Sequence, residues 1–477
     1  MPLLTKDETQ ALLKKVLSYS KADECEVRIN GSEGGNIRYA RNSVSTSGAL
    51  SQTTLQIASV FGKKQGIAII NEYDEASLQK AVKRAEELAQ LAPENPEYVP
   101  FLGPQQYADA AATFIPATAA VKGQQRADMT AQSLQVAKEA GVTAAGFLQN
   151  TAAFSAMMNT HGLFAWSTST DINFSVTLRT PDGTGSGYAA RGYNDVARLD
   201  VAEASGTAAE KATLSGNARA IEPGKYTVIL EPAAGIVLLE NLYGGLDARN
   251  ADEGRSFLSL ADGKTRLGEK LVDEQVTIYS DPWHPELPTG NYSEEGLPQE
   301  KITWIDKGVV SNLFYSRYWA QKKGVKPVPF PDGFIMSGGN ASLADLIKST
   351  EKGILVTRMW YIRAVDPQTL LYTGLTRDGT FYIENGKIKF PVKNFRFNES
   401  PIIMLNNLEA LGRPERTVSG EGGGTAMIPP MKIRDFTFTS LSDAVKEPSL
   451  FTDTDRPAML RLQLWAVDRY DGDPLRL

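Results

Sequence analysis

The sequence predicts an α+β fold, in which an N-terminal α+β domain is followed by a large antiparallel, β-rich C-terminal domain of barrel-like or sandwich-like form. Near the N-terminus, two helical patterns enclose a series of short alternating runs. From Tyr226 onward the chain consists mainly of short strand-like runs separated by glycine-rich turns. A length of 477 residues is too great for one hydrophobic core and predicts two or three domains.

The first predicted domain, residues 1–103, has the element order α-β-β-β-α. Its first helix follows a capping box formed by Thr5 and Glu8. A strand at 26–30 comes next, and alternating runs separated by glycine continue to residue 71. The clearest helix covers 74–92, where an apolar stripe recurs at helical spacing until Pro93 ends it. The proline-rich segment 92–107 is typical of a connector between domains.

The remainder of the chain is predicted to form a middle region, 104–222, and a C-terminal domain, 223–477. The middle region has helical patterns at 124–141 and 195–214 and strand patterns at 142–150, 152–158, 163–169 and 171–180. The C-terminal domain starts with a strand at Tyr226 and an apolar helix from Pro232 that ends at Gly244-Gly245. Two hairpins are predicted further on, the second with Asn385-Gly386 at its turn.

Composition restricts the function classes. The formal net charge is −6, and 42% of residues are apolar and 22% charged, as in an ordinary soluble globular protein. This mild acidity argues against direct nucleic-acid binding, which needs clustered Lys and Arg. No run approaches the roughly 18 apolar residues of a membrane span, and the N-terminus lacks the pattern of a signal peptide. One cysteine permits no internal disulfide, so we predict a cytoplasmic protein.

Few residues could hold a metal or serve as a nucleophile. The only histidines, His161 and His284, lie in predicted turns or loops far apart, so a helical zinc motif with two histidines is impossible. Cys25 alternates with two glutamates and is predicted to be a buried strand residue. The glycine-rich run 182–192 indicates a hairpin turn rather than a dinucleotide loop, because it lies between two strand patterns. The run 419–427 could form a turn or approach a ligand closely.

Several carboxylates are candidates for acid–base chemistry, although the sequence does not show which of them meet in space. The simpler interpretation of the acidic run after the apolar helix is a solvated loop containing Asp247, Asp252 and Glu253. Glu240, inside the helix, is either an edge carboxylate or a half-buried group with a partner, and the pattern favours the edge position. The full set of candidate carboxylates is Glu231, Glu240, Asp247, Asp252, Glu253, Glu294 and Glu295.

Long segments of the chain resemble the TldD/TldE (PmbA) family, which is also known as a family of modulators of DNA gyrase. The helix segment ILEPAAGIVLLENLYGGL resembles the family's core segment. The C-terminal run from EKGILVTRMWYIRAV to MLNNLEALG and the segment MIPPMKIRDFTFTS are similar to the TldE branch. The segments IRYARNSVSTS and SEEGLP match looser family patterns. The resemblance covers nearly the whole chain. The name linked to gyrase receives no support from the charge of this sequence.

The resemblance implies a metal motif in the catalytic members that this chain lacks. In those members the helix carries H-E-x-x-x-H, and two histidines and a distal cysteine would bind zinc while the glutamate activates a water. Placed residue by residue, the first histidine falls on Glu240, the glutamate on Asn241 and the second histidine on Gly245. The distal cysteine has no counterpart, because Cys25 is in the wrong domain. The resemblance therefore implies no zinc or other cofactor and no catalytic residue in this chain.

The function implied is that of a non-catalytic, TldE-like subunit of a cytoplasmic metalloprotease complex. A zinc-bearing TldD-like subunit would be its partner, and the complex would degrade or mature unfolded or leader peptides. Peptide capture by strand addition would suit the β-rich half. Arg358 and Arg363 are candidate peptide-groove residues, with internal ion pairing as the alternative. The rival hypothesis is a self-sufficient homodimeric hydrolase or peptide-binding protein that uses Glu240 with Asp247 or Glu294.

Overall fold

The computed structural model of the protein describes residues 3–109 and 111–442. The α-helices of these residues are Lys6–Ser18 (α1), Glu75–Leu91 (α2), Pro116–Ala119 (α3), Gly123–Glu139 (α4), Val201–Leu214 (α5), Pro232–Gly244 (α6), Ala248–Asp252 (α7), Arg317–Lys323 (α8), Leu343–Lys348 (α9) and Pro401–Asn406 (α10). The helices are interspersed with runs of strands that are mostly antiparallel, as in an α+β fold.

The strands fall into three sheets. The first sheet contains Glu24–Ala40 (β1), Ser43–Phe61 (β2), Lys64–Ile70 (β3), Thr143–Asn159 (β4), Phe164–Arg179 (β5) and Ser186–Tyr193 (β6). The second contains Ile278–Ser280 (β8), Ile302–Asp306 (β9), Val309–Val310 (β10), Phe334–Met336 (β11), Glu415–Val418 (β19) and Thr425–Ile428 (β20). The third contains Gly224–Leu230 (β7), Lys352–Val356 (β12), Met359–Asp366 (β13), Leu371–Thr376 (β14), Thr380–Glu384 (β15), Lys387–Pro391 (β16), Phe395–Glu399 (β17), Leu408–Leu411 (β18) and Met431–Leu441 (β21).

The first sheet is antiparallel throughout and has the order β3-β2-β1-β4-β5-β6. One of its faces is covered by helices: α1 and α2 contribute to one apolar core, and α4 and α5 to another. The predicted α-β-β-β-α order of the N-terminal segment is present as α1, β1, β2, β3 and α2. The start of α1 is capped as the sequence indicated, by the Thr5–Glu8 capping box, and Asp74 caps α2.

Two predictions within the first sheet are wrong. The four short strands predicted between residues 142 and 180 are two long strands, β4 and β5. Both strands continue through the predicted breaks because β4 is paired with β1 and β5 near residue 150 and β5 is paired with β4 near residue 170, so tertiary pairing overrides the local pattern. The helix predicted at 195–214 is shorter, because Asp200 caps α5 and a separate short 3₁₀ turn covers 196–198.

The second and third sheets surround one large apolar core that contains α6. The sheets are mostly antiparallel, as predicted, with two parallel pairs, β7 with β12 and β11 with β20. The predicted hairpins are present as β9–β10 and β15–β16. At the turn of the second hairpin, Asn385 and Gly386 have φ values of 51° and 72°, which suit an Asn-Gly type I′ turn.

The domain boundaries stay predictions. Strands from segments 1–103 and 104–222 pair with each other through β1 and β4, and β7 begins the third sheet at Gly224. The part of the predicted C-terminal domain beyond residue 442 lies outside the described residues. No helix in the described part of the chain has both the length and the apolar character needed to cross a membrane.

Candidate functional site

Helix α6 lies in the middle of the largest apolar core. It follows β7 directly, with Glu231 as the N-cap and Pro232 at its first position, where the missing N–H costs nothing. Its apolar side chains, from Ala234 to Tyr243, are almost completely buried. The helix ends at Gly244, and Gly245 closes it with an ordinary right-handed φ of −84°. A polar side chain on this helix therefore lies against protein rather than in open solvent.

Glu240 is a half-buried carboxylate with a hydroxyl partner. Its Oε1 accepts a hydrogen bond of 2.8 Å from Ser419 Oγ. Burial raises the pKa of the Glu240 carboxyl; the Ser419 hydrogen bond opposes this shift, and the nearby charge of Glu421 adds to it. The expectation of an edge carboxylate is wrong, because the partner comes from a segment 179 residues away.

The glycine-rich run 419–424 is the loop that covers Glu240. It connects β19 to β20, and Ser419 N donates to Gly424 O at 2.8 Å. A Cβ placed on Gly422 would lie 3.1 Å from the Glu240 carboxylate, so the absence of a side chain allows this close approach. Glu421 anchors the loop from the other side, since its carboxylate accepts from Tyr361 N at 2.8 Å. The turn alternative therefore describes this loop, and its glycines approach Glu240 of the same chain.

Glu240, Asn241 and Gly245, the positions at which the resemblance implied a vacated zinc motif, do not form a zinc site in this structure. The Asn241 amide donates to Val237 O at 2.6 Å within its own helix. Gly245 offers no ligand atom, and a Cβ there would lie 2.7 Å from Phe257 Cε1. Only the Glu240 carboxylate could ligate a metal, and one carboxylate does not make a tetrahedral zinc site.

Other metal-ligating residues are dispersed. Among residues 3–109 and 111–442, no group of three or more His, Cys, Asp or Glu side chains is placed to hold a metal ion. His161 Nδ1 is 2.9 Å from Phe101 O, and His284 Nδ1 accepts from Glu286 N. Cys25 is buried in β1 as predicted, and burial raises the pKa of its thiol. This environment disfavours the thiolate that metal binding requires.

The two candidate groove arginines have different environments. Arg358 is buried, and its Nη1 lies 2.5 Å from Asp378 Oδ2 in an ion pair that is only 10% and 1% exposed. Its guanidinium also stacks over Tyr188 at 3.6 Å. Arg363 is 56% exposed, stacks on Tyr361 and lies 4.0 Å from Glu421. Arg358 is thus in the internal ion pair considered as the alternative, whereas Arg363 is largely exposed and its Nη1 donates to Ile362 O at 2.7 Å.

The candidate carboxylates after α6 do not form one solvated acidic loop. Asp247 caps α7, and Asp252 is only 10% exposed because it accepts from Trp319 Nε1 and pairs with Lys323. Glu253 alone matches that expectation and forms ion pairs with Arg249 and Arg255. Further on, Glu294 is exposed and Glu295 accepts from the backbone N–H of Arg317. No described hydrogen bond joins Glu240 to Asp247 or Glu294.

A cleft of about 700 Å³ lies next to the start of α6 and was not predicted. Its walls come from β6, α5, the first residues of α6, β19 and the α9 region. At its edge Lys211 Nζ contacts Glu231 Oε2 at 2.6 Å, and both side chains are largely buried. Glu240 does not line this cleft. Glu231, a carboxylate directly before Pro232, was the one lining residue that the sequence singled out as a candidate. The other walls come from segments far apart in the sequence, so no local pattern indicates that they meet.

Two family models match the sequence. They are the PmbA/TldA metallopeptidase C-terminal domain over residues 223–440 and the PmbA/TldA metallopeptidase domain 1 over residues 25–89, which together cover more than half of the chain. The chain is 24% identical over 301 residues to a metalloprotease of Methanothermobacter thermautotrophicus, a match covering 58% of this chain and 64% of that protein. It is 26% identical over 176 residues to metalloprotease PmbA of Escherichia coli O157:H7, covering 35% and 37%. The chain therefore spans less than two thirds of either relative.

Solved structures show the same fold over a longer range. The crystal structure of TldE from Thermococcus kodakarensis matches with a TM-score of 0.80 and covers 91% of this chain and all of that chain. The sequence identity is 19%, so this match establishes a shared fold and nothing about activity.

Proposed function

Because the chain belongs to the PmbA/TldD metallopeptidase family, we propose that it is a non-catalytic, TldE-like subunit of a metalloprotease complex. In this proposal a TldD-like partner holds the zinc ion and carries out peptide hydrolysis. This chain binds the partner and forms part of the wall of the chamber in which unfolded or leader peptides are degraded or matured. The complex is proposed to be cytoplasmic.

The observation that supports this proposal is that Glu240, Asn241 and Gly245 of the α6 region form no metal site. The sequence of α6 resembles the family's core segment, and both of its central polar side chains are hydrogen-bonded within this chain. Glu240 accepts from Ser419 Oγ, and Asn241 donates to Val237 O of the same helix. Gly245 packs against Phe257 and contributes no side chain. A chain that keeps this helix in its core, with Glu240 and Asn241 hydrogen-bonded internally, is suited to a structural role beside an active subunit.

The proposal is tested by measuring zinc and peptidase activity with and without a partner. Purified alone, the chain should contain no stoichiometric zinc by plasma mass spectrometry and should cleave no unstructured peptide. Mixed with a TldD-like protein from the same genome, it should form a complex on a sizing column, and chelator-sensitive cleavage should appear or increase. Stoichiometric zinc and chelator-sensitive cleavage by the chain alone would overturn the proposal.

A second candidate function is a self-sufficient homodimeric hydrolase or peptide-binding protein. The contact between Glu240 and Ser419 favours it, because a carboxylate of raised pKa beside a hydroxyl is the arrangement of a general base and a nucleophile. Against it, the Ser419 hydroxyl also accepts from Gly422 N at 3.2 Å and lies in the loop that covers the carboxylate. Hydrolysis by the chain alone that disappears in both Ser419→Ala and Glu240→Gln would establish this alternative.

A further inference from the structure

Two sheets end at the same cleft. Strand β6 is the last strand of the first sheet, and β19 is the last strand of the second. Residues 188–191 and 193 of β6 and all four residues of β19 line the cleft of about 700 Å³. At one point the strands meet, since Arg416 Nε donates to Gly192 O at 2.6 Å. An edge strand carries unpaired backbone groups, which bind an extended chain by strand addition.

The contacts of β6 show which of its backbone groups point away from the sheet. Ser186 N and Ser186 O both bond to Ser215 Oγ, and Gly192 O accepts from Arg416. Because backbone groups alternate sides along a strand, Tyr188 and Ala190 also point away from β5. Ala190 O is taken by the Arg191 side chain. Among the described residues, nothing bonds to the outward N–H and C=O of Tyr188 or to the outward N–H of Ala190.

Part of the cleft lining is apolar. It is formed by Leu343 and Ile347 of α9, Leu355 of β12, Phe381 of β15 and Ile388 of β16. Most of these side chains belong to or pack against a small separate core, and Ile388 is 39% exposed at its border. An apolar recess beside an open strand edge can accept a side chain of a bound peptide, which gives selectivity in addition to backbone pairing.

The basic side chains of the cleft are engaged by other groups of the chain. Lys211 pairs with Glu231, Arg198 with Glu286 and Arg191 with Glu203. The Arg416 guanidinium donates to two backbone carbonyls, those of Gly192 and Glu286. A phosphate or another strongly anionic ligand would have to displace one of these partners, so the cleft favours a ligand recognised through its backbone and an apolar group.

We propose that this cleft binds an extended peptide segment, which adds to the β6 edge at Tyr188 and Ala190 and places an apolar side chain in the recess bordered by Ile388. The inference rests on the proposed function in taking a peptide as the ligand. It goes further by giving this chain its own peptide site, away from Glu240, with a preference for apolar side chains. A volume of about 700 Å³ is sufficient for a short segment.

Fluorescence anisotropy on the full chain tests the proposal. The probe is a labelled decapeptide of alternating Ala and Thr with one central Leu, and a second probe carries Asp in place of Leu. The Leu probe should bind about tenfold or more tightly than the Asp probe. Ile388→Glu should abolish this preference. The matched control Ile403→Glu changes an isoleucine that is 52% exposed on α10 outside the cleft, and it should retain the preference.

Backbone pairing is tested separately with Ala190→Pro, which removes one outward N–H without removing a ladder hydrogen bond. This variant should weaken both probes by several-fold, and N-methylation of alternate probe residues should do the same. If the unaltered chain binds neither probe, or if Ile388→Glu and Ala190→Pro leave binding unchanged, the proposal is wrong. Thermal melting establishes whether each variant folds. If Ala190→Pro does not fold, the Ile388→Glu variant alone decides the test.

The test does not depend on zinc or on a partner. A failure to bind peptide would therefore overturn this site and leave partner-dependent proteolysis intact. Conversely, peptide binding by the chain alone can hold even if no zinc-bearing partner forms a complex with it.

Discussion

At the residue scale, Glu240 is defined by one long-range contact. The helical pattern places it correctly in α6, but its burial and its hydrogen bond come from the loop at Ser419, 179 residues further along the chain. Asn241 differs, because its amide bonds within the same helix turn. The helical pattern therefore predicts the element that carries Glu240, whereas the environment of Glu240 depends on tertiary packing that a sequence pattern does not contain.

The raised pKa of Glu240 predicts a specific pH dependence of stability. A carboxyl whose folded-state pKa is raised destabilises the fold as pH rises from the ordinary glutamate range through the raised value. Glu240→Gln removes this titration and keeps an oxygen that accepts from Ser419. The variant should therefore equal the unaltered chain near pH 4 and exceed it near pH 7. The gain should be less than about 1 kcal/mol, because partial exposure screens the burial cost.

Urea unfolding at the two pH values measures this effect. The matched control Glu94→Gln alters an exposed carboxylate and should change stability by the same small amount at both pH values. A Glu240→Gln variant that is less stable than the unaltered chain at pH 7 would show that the charged form of Glu240 is favoured in the folded protein.

At the element scale, short-range signals predicted the elements well. The capping box of α1, the end of α6 and the Asn385-Gly386 hairpin all depend on residues a few positions apart. The length of β4 and β5 was not predicted, because it depends on pairing between strands. The two strands pair with each other along their length, and β4 also pairs with β1. The cleft was missed for the same reason, since it is formed by elements from four separate parts of the chain.

The turn of the β15–β16 hairpin provides a stability prediction. Gly386 has φ of 72°, and a Cβ there would lie 2.6 Å from the backbone oxygen of Lys348. Gly386→Ala therefore combines backbone strain with a backbone clash and should destabilise the protein by at least about 2 kcal/mol. The control Gly62→Ala has φ of 61° but open space around its Cβ, so it should cost only about 1 kcal/mol. Equal losses in urea unfolding would contradict the role assigned to the Lys348 contact.

At the scale of the whole molecule, α6 is both the segment that resembles the family's core segment and a central part of the largest apolar core. Its apolar side chains are buried in the core that the second and third sheets surround, so the helix has a packing role that requires no metal. This explains how the zinc positions can change without loss of the fold. It also explains why the Ser419 loop and Phe257 can lie directly against those positions.

The packing around α6 predicts that the family's zinc motif cannot be restored by changing the helix alone. The variant Glu240→His, Asn241→Glu, Gly245→His supplies two imidazoles and a carboxylate, but the new side chain at 245 meets Phe257 Cε1 at 2.7 Å. Among the described residues, Glu240 belongs to no group of three His, Cys, Asp or Glu side chains placed to hold a metal ion, so the fold supplies no third ligand of suitable geometry. Plasma mass spectrometry should find as little zinc in the variant as in the unaltered chain. Adding Phe257→Ala relieves the clash and separates the two causes: zinc should still be absent, and one bound zinc per chain would show that the missing third ligand does not limit metal binding.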